Sequence, residues 1–285
     1  MKFTKLQGAG NDFVLIETSD AERDWSQLAM AVCDRRFGVG ADGLLLLLPS
    51  KIADFQMREF NPDGSESEAC GNGLRCLVKY VMDTKLADNA TREIAIETIP
   101  GVRKSRPDKA GGRATRIQVD MGTPKFAAED IPVVIEPGKG GLVDIKLITY
   151  PVTIAGRELL LSLVSMGNPH AVYFQQNPVA DFPLAQVAPQ VEQLPLFPNK
   201  VNFEVVRVVN RKQIEARVWE RGVGETLACG SGACAIAVAA QLKGYTDHKV
   251  DIKFRGGTLE VEWDGVGGAF LGGPAEIVFT GEWSE

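Results

Sequence analysis

The chain contains the same short phrase twice, "EACGNGLRC" at 68–76 and "LACGSGAC" at 227–234. Shifted by 159 positions, Cys70 falls on Cys229, Glu66 on Glu225, Ala69 on Ala228, Gly71 on Gly230 and Gly73 on Gly232, while Asn61 falls on Glu220. A second pair, "GNDFVLIE" at 10–17 and "GNPHAVYF" at 167–174, repeats at a shift of 157 and sets Gly10 on Gly167 and Asn11 on Asn168. A loop of changed length accounts for the two-residue drift. Two copies mean a duplicated domain, since solenoids need more repeats to bury a core. A length of 285 residues suits two domains of common size. "Gly122-Thr123-Pro124" is the expected boundary.

Each half reads as strand, helix, strands and then a Cys-led helix. Phe13–Thr18 alternates as a strand does. Asp24 with Gln27 forms a capping box ahead of Trp25, Leu28, Ala29, Val32 and Cys33 at helical spacing, and Gly38 and Gly40 close that helix. Residues 44–48 and 55–61 read as strands, with Asn61-Pro62-Asp63-Gly64 as a turn. Further strands are expected at 93–98, 115–121, 151–155, 158–164, 171–174, 203–209, 213–219, 249–254, 258–263 and 275–280. Arg103, Lys104 and Arg106 read as part of a solvated loop. "GNGLRCLVKYVMD" and "GSGACAIAVAAQLKG" are apolar over most of their circumference, so each is expected to be wrapped by strands. No βαβ rhythm and no G-x-G-x-x-G after a strand is visible, which excludes a dinucleotide site. The fold class is α+β (mixed α/β).

A net charge of −6 leaves no basic footprint for nucleic acid or an anionic membrane. No apolar run approaches the roughly 20 residues of a membrane span. "MKFTKLQGAGND" is neither a signal peptide nor a transit leader, so a cytoplasmic location is expected. Five cysteines without repeated C-x-x-C spacing do not form a disulfide scaffold or a zinc site. Cys33, Cys76 and Cys234 fall on apolar helix faces and read as core.

A helix N-terminus offers unpaired N–H groups and about half a positive charge. It binds anions, and it is expected to pull a thiol below its free value of about 8.5. One such cysteine suggests a nucleophile. Two suggest acid and base on opposite faces of one substrate. Inversion at a carbon next to a carboxylate needs that pair: one thiolate removes a proton and one thiol delivers another. Mutual repulsion keeps one proton on the two sulfurs. Helix N-termini aimed at the carboxylate would take up its developing charge. No pyridoxal lysine, metal or other cofactor is required.

Four stretches carry a resemblance: "GAGNDF" (8–13), "FNPDGSESEACGNGLRC" (60–76), "SMGNPH" (165–170) and "ERGVGETLACGSGAC" (220–234). In order and spacing they resemble the diaminopimelate epimerases, over nearly the whole chain. The resemblance implies two pseudo-symmetric domains, each a curled mixed β-sheet around a central helix. They would comprise 1–120, with a returning strand at 275–285, and 121–274, with the active site in the interdomain cleft. It implies Cys70 and Cys229 as catalytic cysteines, aided by His170 and Glu220. Gly71, Asn72, Gly230 and Ser231 would hold the reacting carboxylate. Asn11, Asn61, Asn168, Asn202, Glu220 and Arg221 would contact substrate. Gly43 stands where some members have a substrate-contacting glutamine. The implied partner is a small amino-acid substrate, with a homodimer as the assembly.

The residues by themselves leave alternatives open. Asn61 suits a turn, His170 suits a structural role, Glu220-Arg221 suits a surface ion pair, and Asp42, Asp63 and Glu66 suit turns or caps. The leading activity is reversible epimerisation of L,L- and meso-diaminopimelate, in lysine biosynthesis. A proline or hydroxyproline racemase shares the two-cysteine logic. An amino-acid-binding protein would have no need of two thiols.

Overall fold

The computed structural model describes residues 1–67, 71–88, 90, 92–110, 113–135, 141–142 and 147–284, without the side chains of 109, 110, 113, 141, 142 and 148. It divides into two units, Met1–Asp120 with Gly272–Glu285, and Met121–Leu271.

The first unit contains β1 (Lys2–Gly8), β2 (Asn11–Glu17), α1 (Trp25–Cys33), β3 (Gly43–Leu48), β4 (Phe55–Phe60), β5 (Glu66–Ser67), α2 (Gly71–Asp83), β6 (Ile94–Thr98), β7 (Gly101–Ala110) and β8 (Arg113–Asp120). The second contains β9 (Gly141–Leu142), β10 (Ile148–Ile154), β11 (Arg157–Ser165), β12 (Pro169–Phe174), α3 (Leu184–Glu192), β13 (Asn202–Asn210), β14 (Gln213–Glu220), β15 (Gly224–Thr226), α4 (Gly230–Leu242), β16 (Lys249–Phe254) and β17 (Gly257–Glu262). Strand β18 (Phe270–Gly273) runs across the division, and β19 (Glu276–Glu282) pairs antiparallel with β1 in the first unit.

The pairing pattern is the duplication made visible. In the first unit β1–β2 is antiparallel, β2–β3 parallel, β3–β4 antiparallel, β4–β6 parallel and β6–β7 antiparallel. In the second, β11–β12, β12–β13, β13–β14, β14–β16 and β16–β17 repeat that series. Helices α1, α2, α3 and α4 each bridge one of the four parallel pairs. The structure therefore corrects the sequence reading: βαβ crossovers are present in both halves. They escaped notice because an antiparallel pair interrupts the rhythm between successive crossovers. Parallel neighbours need such a crossover, whereas antiparallel ones close with a short turn.

Helix α1 starts where Asp24 accepts from the Gln27 amide at 3.1 Å. Trp25, Leu28, Ala29, Val32 and Cys33 pack with Val14, Ile16, Leu44, Leu46 and Leu48. Burying each large side chain of this kind contributes about 1.5–3 kcal/mol. Because strand side chains alternate, Leu45 and Leu47 face the other way, and both are buried. On that side lies α2, which touches β1, β2, β3, β4, β7, β8 and β19. Helix α4 is likewise bounded by β11, β12, β13, β16 and β17, with Ala233 through Ala240 all buried. An apolar helix enclosed by strands needs no polar face, which is why α4 lacks one; in α2 the polar Asn72, Arg75, Lys79 and Asp83 lie along one side and are buried or half-buried.

The basic stretch Arg103–Arg106 is a second correction. It lies in β7, between β6 and β8. Ser105 and Pro107 turn inward, while Lys104, Arg106 and Asp108 are exposed. Lys104 and Arg106 both reach Glu93. The polar outer face of a one-sided strand had the composition of a loop.

Candidate active site

Helix α4 begins at a cysteine. Cys229 is its N-cap, with extended backbone (φ −131°, ψ 124°), and its Sγ accepts from the Gly232 amide at 3.4 Å. An N-cap side chain that occupies one of the helix's unsatisfied donors stabilises the first turn. Ser231 Oγ lies 3.5 Å from the same sulfur. From there a chain of contacts leads inward. Asn168 Nδ2 donates to Ser231 Oγ (3.3 Å), His170 Nε2 lies 2.9 Å from Asn168 Oδ1, and His170 Nδ1 lies 2.7 Å from Glu204 Oε1. His170 and Glu204 are both fully buried, and Cys229 is only 6% exposed. Asn168 sits in the turn before β12, where Gly167 takes φ +96°, a conformation other residues resist.

Burial, then the negative charge of Glu220, then that of Glu204 raise Cys229 above the ordinary thiol value, outweighing the Ser231 and Gly232 hydrogen bonds that lower it. The sequence expectation of a depressed value is corrected here. A helix end contributes about half a charge, and burial with the charges of Glu220 and Glu204 outweighs it. Cys229 is held as the thiol.

Several of the residues picked out from the sequence lie on α4 and on the ends of β13 and β14. Gly230 and Ser231 form the first turn of α4. Glu220, at the end of β14, accepts from Thr226 Oγ1 at 2.5 Å. Asn202 spends both amide atoms on backbone: Nδ2 donates to Pro169 O (3.0 Å) and Oδ1 accepts from Arg221 N (2.9 Å). It clamps β12 to the end of β14. The exposed Arg221 side chain donates to Asn199 O at 3.4 Å.

In the first unit Cys70 lies outside the described residues. Gly71 and Asn72, the first residues of α2, are buried. Asn72 Nδ2 donates to Asn11 Oδ1 (3.2 Å), and Asn72 Oδ1 accepts from the buried Arg75 at 2.5 Å. This Asn11–Asn72 bond is the counterpart of the Asn168–Ser231 bond. Asn11 also donates to Asp42, which with Asp12 receives Arg35. Burial opposes ionisation of Asp12, yet the Arg35 and Lys5 hydrogen bonds prevail and hold it below the usual carboxylate range. Asn61 bonds within its turn, its Nδ2 donating to Ser65 Oγ at 3.0 Å. At Gly43 a Cβ would meet Phe60 O at 3.1 Å and the Phe13 ring at 3.3 Å, so the position is closely packed against backbone. Cys33, Cys76 and Cys234 are buried in their helices, with Cys33 and Cys76 pushed up to about 12 by burial.

Two participants escaped the sequence reading. Glu204 stands in "NFEVV", an acid inside an apolar strand, and that interruption was its signal. Arg75, in α2, is fully buried and reaches the carbonyls of Gly71 and Pro274 as well as Asn72.

Comparison with known proteins agrees over the full length. The chain is 46% identical over 285 residues to the diaminopimelate epimerase of Moorella thermoacetica, covering 99% of each. It is 44% identical to that of Acetivibrio thermocellus, covering 99% of this chain and 98% of the relative. To that of Methanococcus maripaludis it is 43% identical, covering 99% of each. Among solved structures it resembles a probable proline racemase from Agrobacterium radiobacter (TM-score 0.70, 12% identity, covering 99% of this chain and 92% of that one). It also resembles a phenazine biosynthesis protein from Bacillus anthracis (TM-score 0.68, 16% identity, covering 100% and 99%). Those likenesses establish the fold alone: mixed α/β of the type shared by these racemases and phenazine proteins. The profile of the diaminopimelate epimerase family matches residues 3–127 and 162–278, and the chain belongs to that family.

Proposed function

We propose that this protein interconverts L,L- and meso-diaminopimelate without a cofactor, an isomerase step in lysine biosynthesis, with Cys229 and Cys70 as its two acid–base groups. The observation that carries the reading is a buried thiol capping α4, in a chain whose family acts on this substrate and whose other half repeats the Cys-led helix. One thiolate takes the α-proton: the C–H bond breaks, an S–H bond forms, and the electron pair moves into the carboxylate. The second thiol gives its proton to the opposite face of the carbon. The substrate leaves inverted and the two sulfurs have exchanged protonation states.

Holding Cys229 as the thiol suits the acid in this step. The developing negative charge needs donors already in place. N–H groups in the first turns of α4 (Gly230, Ser231) and α2 (Gly71, Asn72) are our candidates. Arg221 offers a rigid fork suited to the distal carboxylate, with Glu220, Asn11, Asn61, Asn168 and Asn202 around the rest of the substrate. Identity of 46% over the full length to an epimerase, against 12% to the probable proline racemase, favours diaminopimelate over a cyclic imino acid. No described helix is long and apolar enough to cross a membrane.

The test is incubation with meso-diaminopimelate in heavy water, followed by mass spectrometry and chiral analysis. Deuterium should enter the α-position with inversion, and Cys229→Ala should stop inversion. Near-normal epimerisation by that variant would overturn the two-base mechanism.

A further inference from the structure

We propose that Glu204 is a positioning residue: through His170 and Asn168 it holds the Ser231 hydroxyl against the Cys229 thiol and sets the pH at which that thiol ionises. The proposal rests on the two-base reading above and deepens it.

The duplicated fold supplies its own control. In the second unit His170 pairs with Asn202 and Val172 with Glu204 across parallel strands β12 and β13. In the first, Phe13 pairs with Gly43 and Leu15 with Leu45 across β2 and β3. His170 therefore corresponds to Phe13, and Glu204 to Leu45. Phe13 and Leu45 are 1% and 0% exposed, so packing at these positions is met by apolar side chains. The second unit instead buries an ionisable pair completely, and Glu204 Oε2 has no hydrogen-bond partner among the described residues. An unsatisfied buried carboxylate oxygen is costly and is retained where it serves a purpose.

Its geometry shows the purpose. With Asn168 Nδ2 donating to Ser231, Asn168 Oδ1 faces His170, so His170 Nε2 donates to it. Nδ1 and Glu204 Oε1 then share one proton across 2.7 Å. That proton locks the ring, the ring locks the amide, and the amide fixes Ser231. Burial raises the Glu204 carboxyl, opposed by its attraction to His170, and this favours keeping the shared proton. Glu204 also approaches the helix directly, since its Oε1 would lie 3.0 Å from a Cβ at position 232. Besides Glu204, Glu220 on β14 is the acid whose charge acts on the Cys229 thiol; Cys234 lies further along α4, Lys249, Asp251 and Lys253 of β16 are exposed, and Glu260 of β17 is paired with Lys249. Glu215 and Arg217 of β14 are engaged by Arg207 and Glu225.

The experiment compares Glu204→Leu, Glu204→Gln and the double variant His170→Phe/Glu204→Leu, which transplants the first unit's pair. Thermal unfolding checks that each folds. The pH profile of Cys229 alkylation by iodoacetamide, read by peptide mass spectrometry, is measured beside kcat and KM. Glu204→Leu should alkylate at lower pH, because the Glu204 end of the shared-proton pair, whose negative charge opposes the thiolate, is gone. Its kcat should fall on the order of 10²-fold with KM little changed, less than the about 10⁴-fold lost when a triad's orienting carboxylate is neutralised. The glutamine variant keeps the shape and loses the acid, so it should shift the profile in the same direction. An unshifted alkylation profile in all three folded variants overturns the proposal, whatever kcat does. Cys229→Ala, assayed in parallel, keeps the two readings apart: if it still inverts substrate, the two-base mechanism fails independently of Glu204.

Discussion

Replacing Gly232 by alanine sets two physical effects against each other. The residue lies in the first turn of α4, with helical backbone and its N–H directed at the Cys229 sulfur. Alanine in place of glycine favours a helix by about 1 kcal/mol. A Cβ there, however, would lie 3.0 Å from Glu204 Oε1, 3.3 Å from Cys229 Cβ and 3.4 Å from Cys229 Sγ. The carboxylate cannot easily swing away, because it is fully buried and bonded to His170 at 2.7 Å. Overpacking of this kind costs about 1–3 kcal/mol. The balance is a net loss of about 0–2 kcal/mol, or a fall of up to about 8 °C in Tm at 2–4 °C per kcal/mol for a domain of this size. Activity should suffer more than stability, since the neighbours that give way are the thiol and the group that positions it. Differential scanning calorimetry and the heavy-water exchange assay measure both. A Gly232→Ala protein that is more stable than the parent and fully active would refute the reasoning, because it would show the Glu204–Cys229 packing to be loose.

Two further outcomes are expected. Cys76 is fully buried and its thiol is lifted by burial from 9.0 to about 12. The folded chain therefore binds that proton more tightly than the unfolded one. Its stabilisation is whole below pH 9 and is lost as pH rises through 9 to 12, with a slope of at most about 1.4 kcal/mol per pH unit. Cys76→Ala should flatten the alkaline arm of a urea-midpoint-versus-pH curve; an unchanged slope would place the alkaline loss elsewhere. For specificity, lysine lacks the distal carboxylate, and its α-hydrogen exchange should be slower in kcat/KM by about 10⁴-fold, the range for a hydrogen-bonding site left vacant. Arg221→Lys should lose most of that discrimination, since an ammonium cannot make a bidentate contact. Equal exchange of lysine and diaminopimelate by the parent protein would show that the distal carboxylate is not what is read.

What local signals can carry was readable in the sequence. The repeated Cys-Gly phrases announced the duplication, and α1 followed from Asp24, Gln27 and a stripe of apolar residues. The enclosure of α2 and α4 followed from helices apolar over most of their circumference. The positions of Cys229, Ser231, Asn168 and His170 lie on those motifs, and the structure joins all four in one hydrogen-bonded chain. The tertiary structure decided what depends on which residues meet across the sheet. Arg103 to Arg106 became a strand because β6 and β8 flank them, and the crossovers emerged only once β2 had found β3 and β12 had found β13. Glu204 is one acid in an apolar strand until the sheet closes on α4 and brings it against His170. The protonation of Cys229 was decided last and against the local expectation. A helix end favours thiolate through a partial charge carried by the chain itself, whereas the desolvation and the two carboxylates that outweigh it exist only in the folded interior.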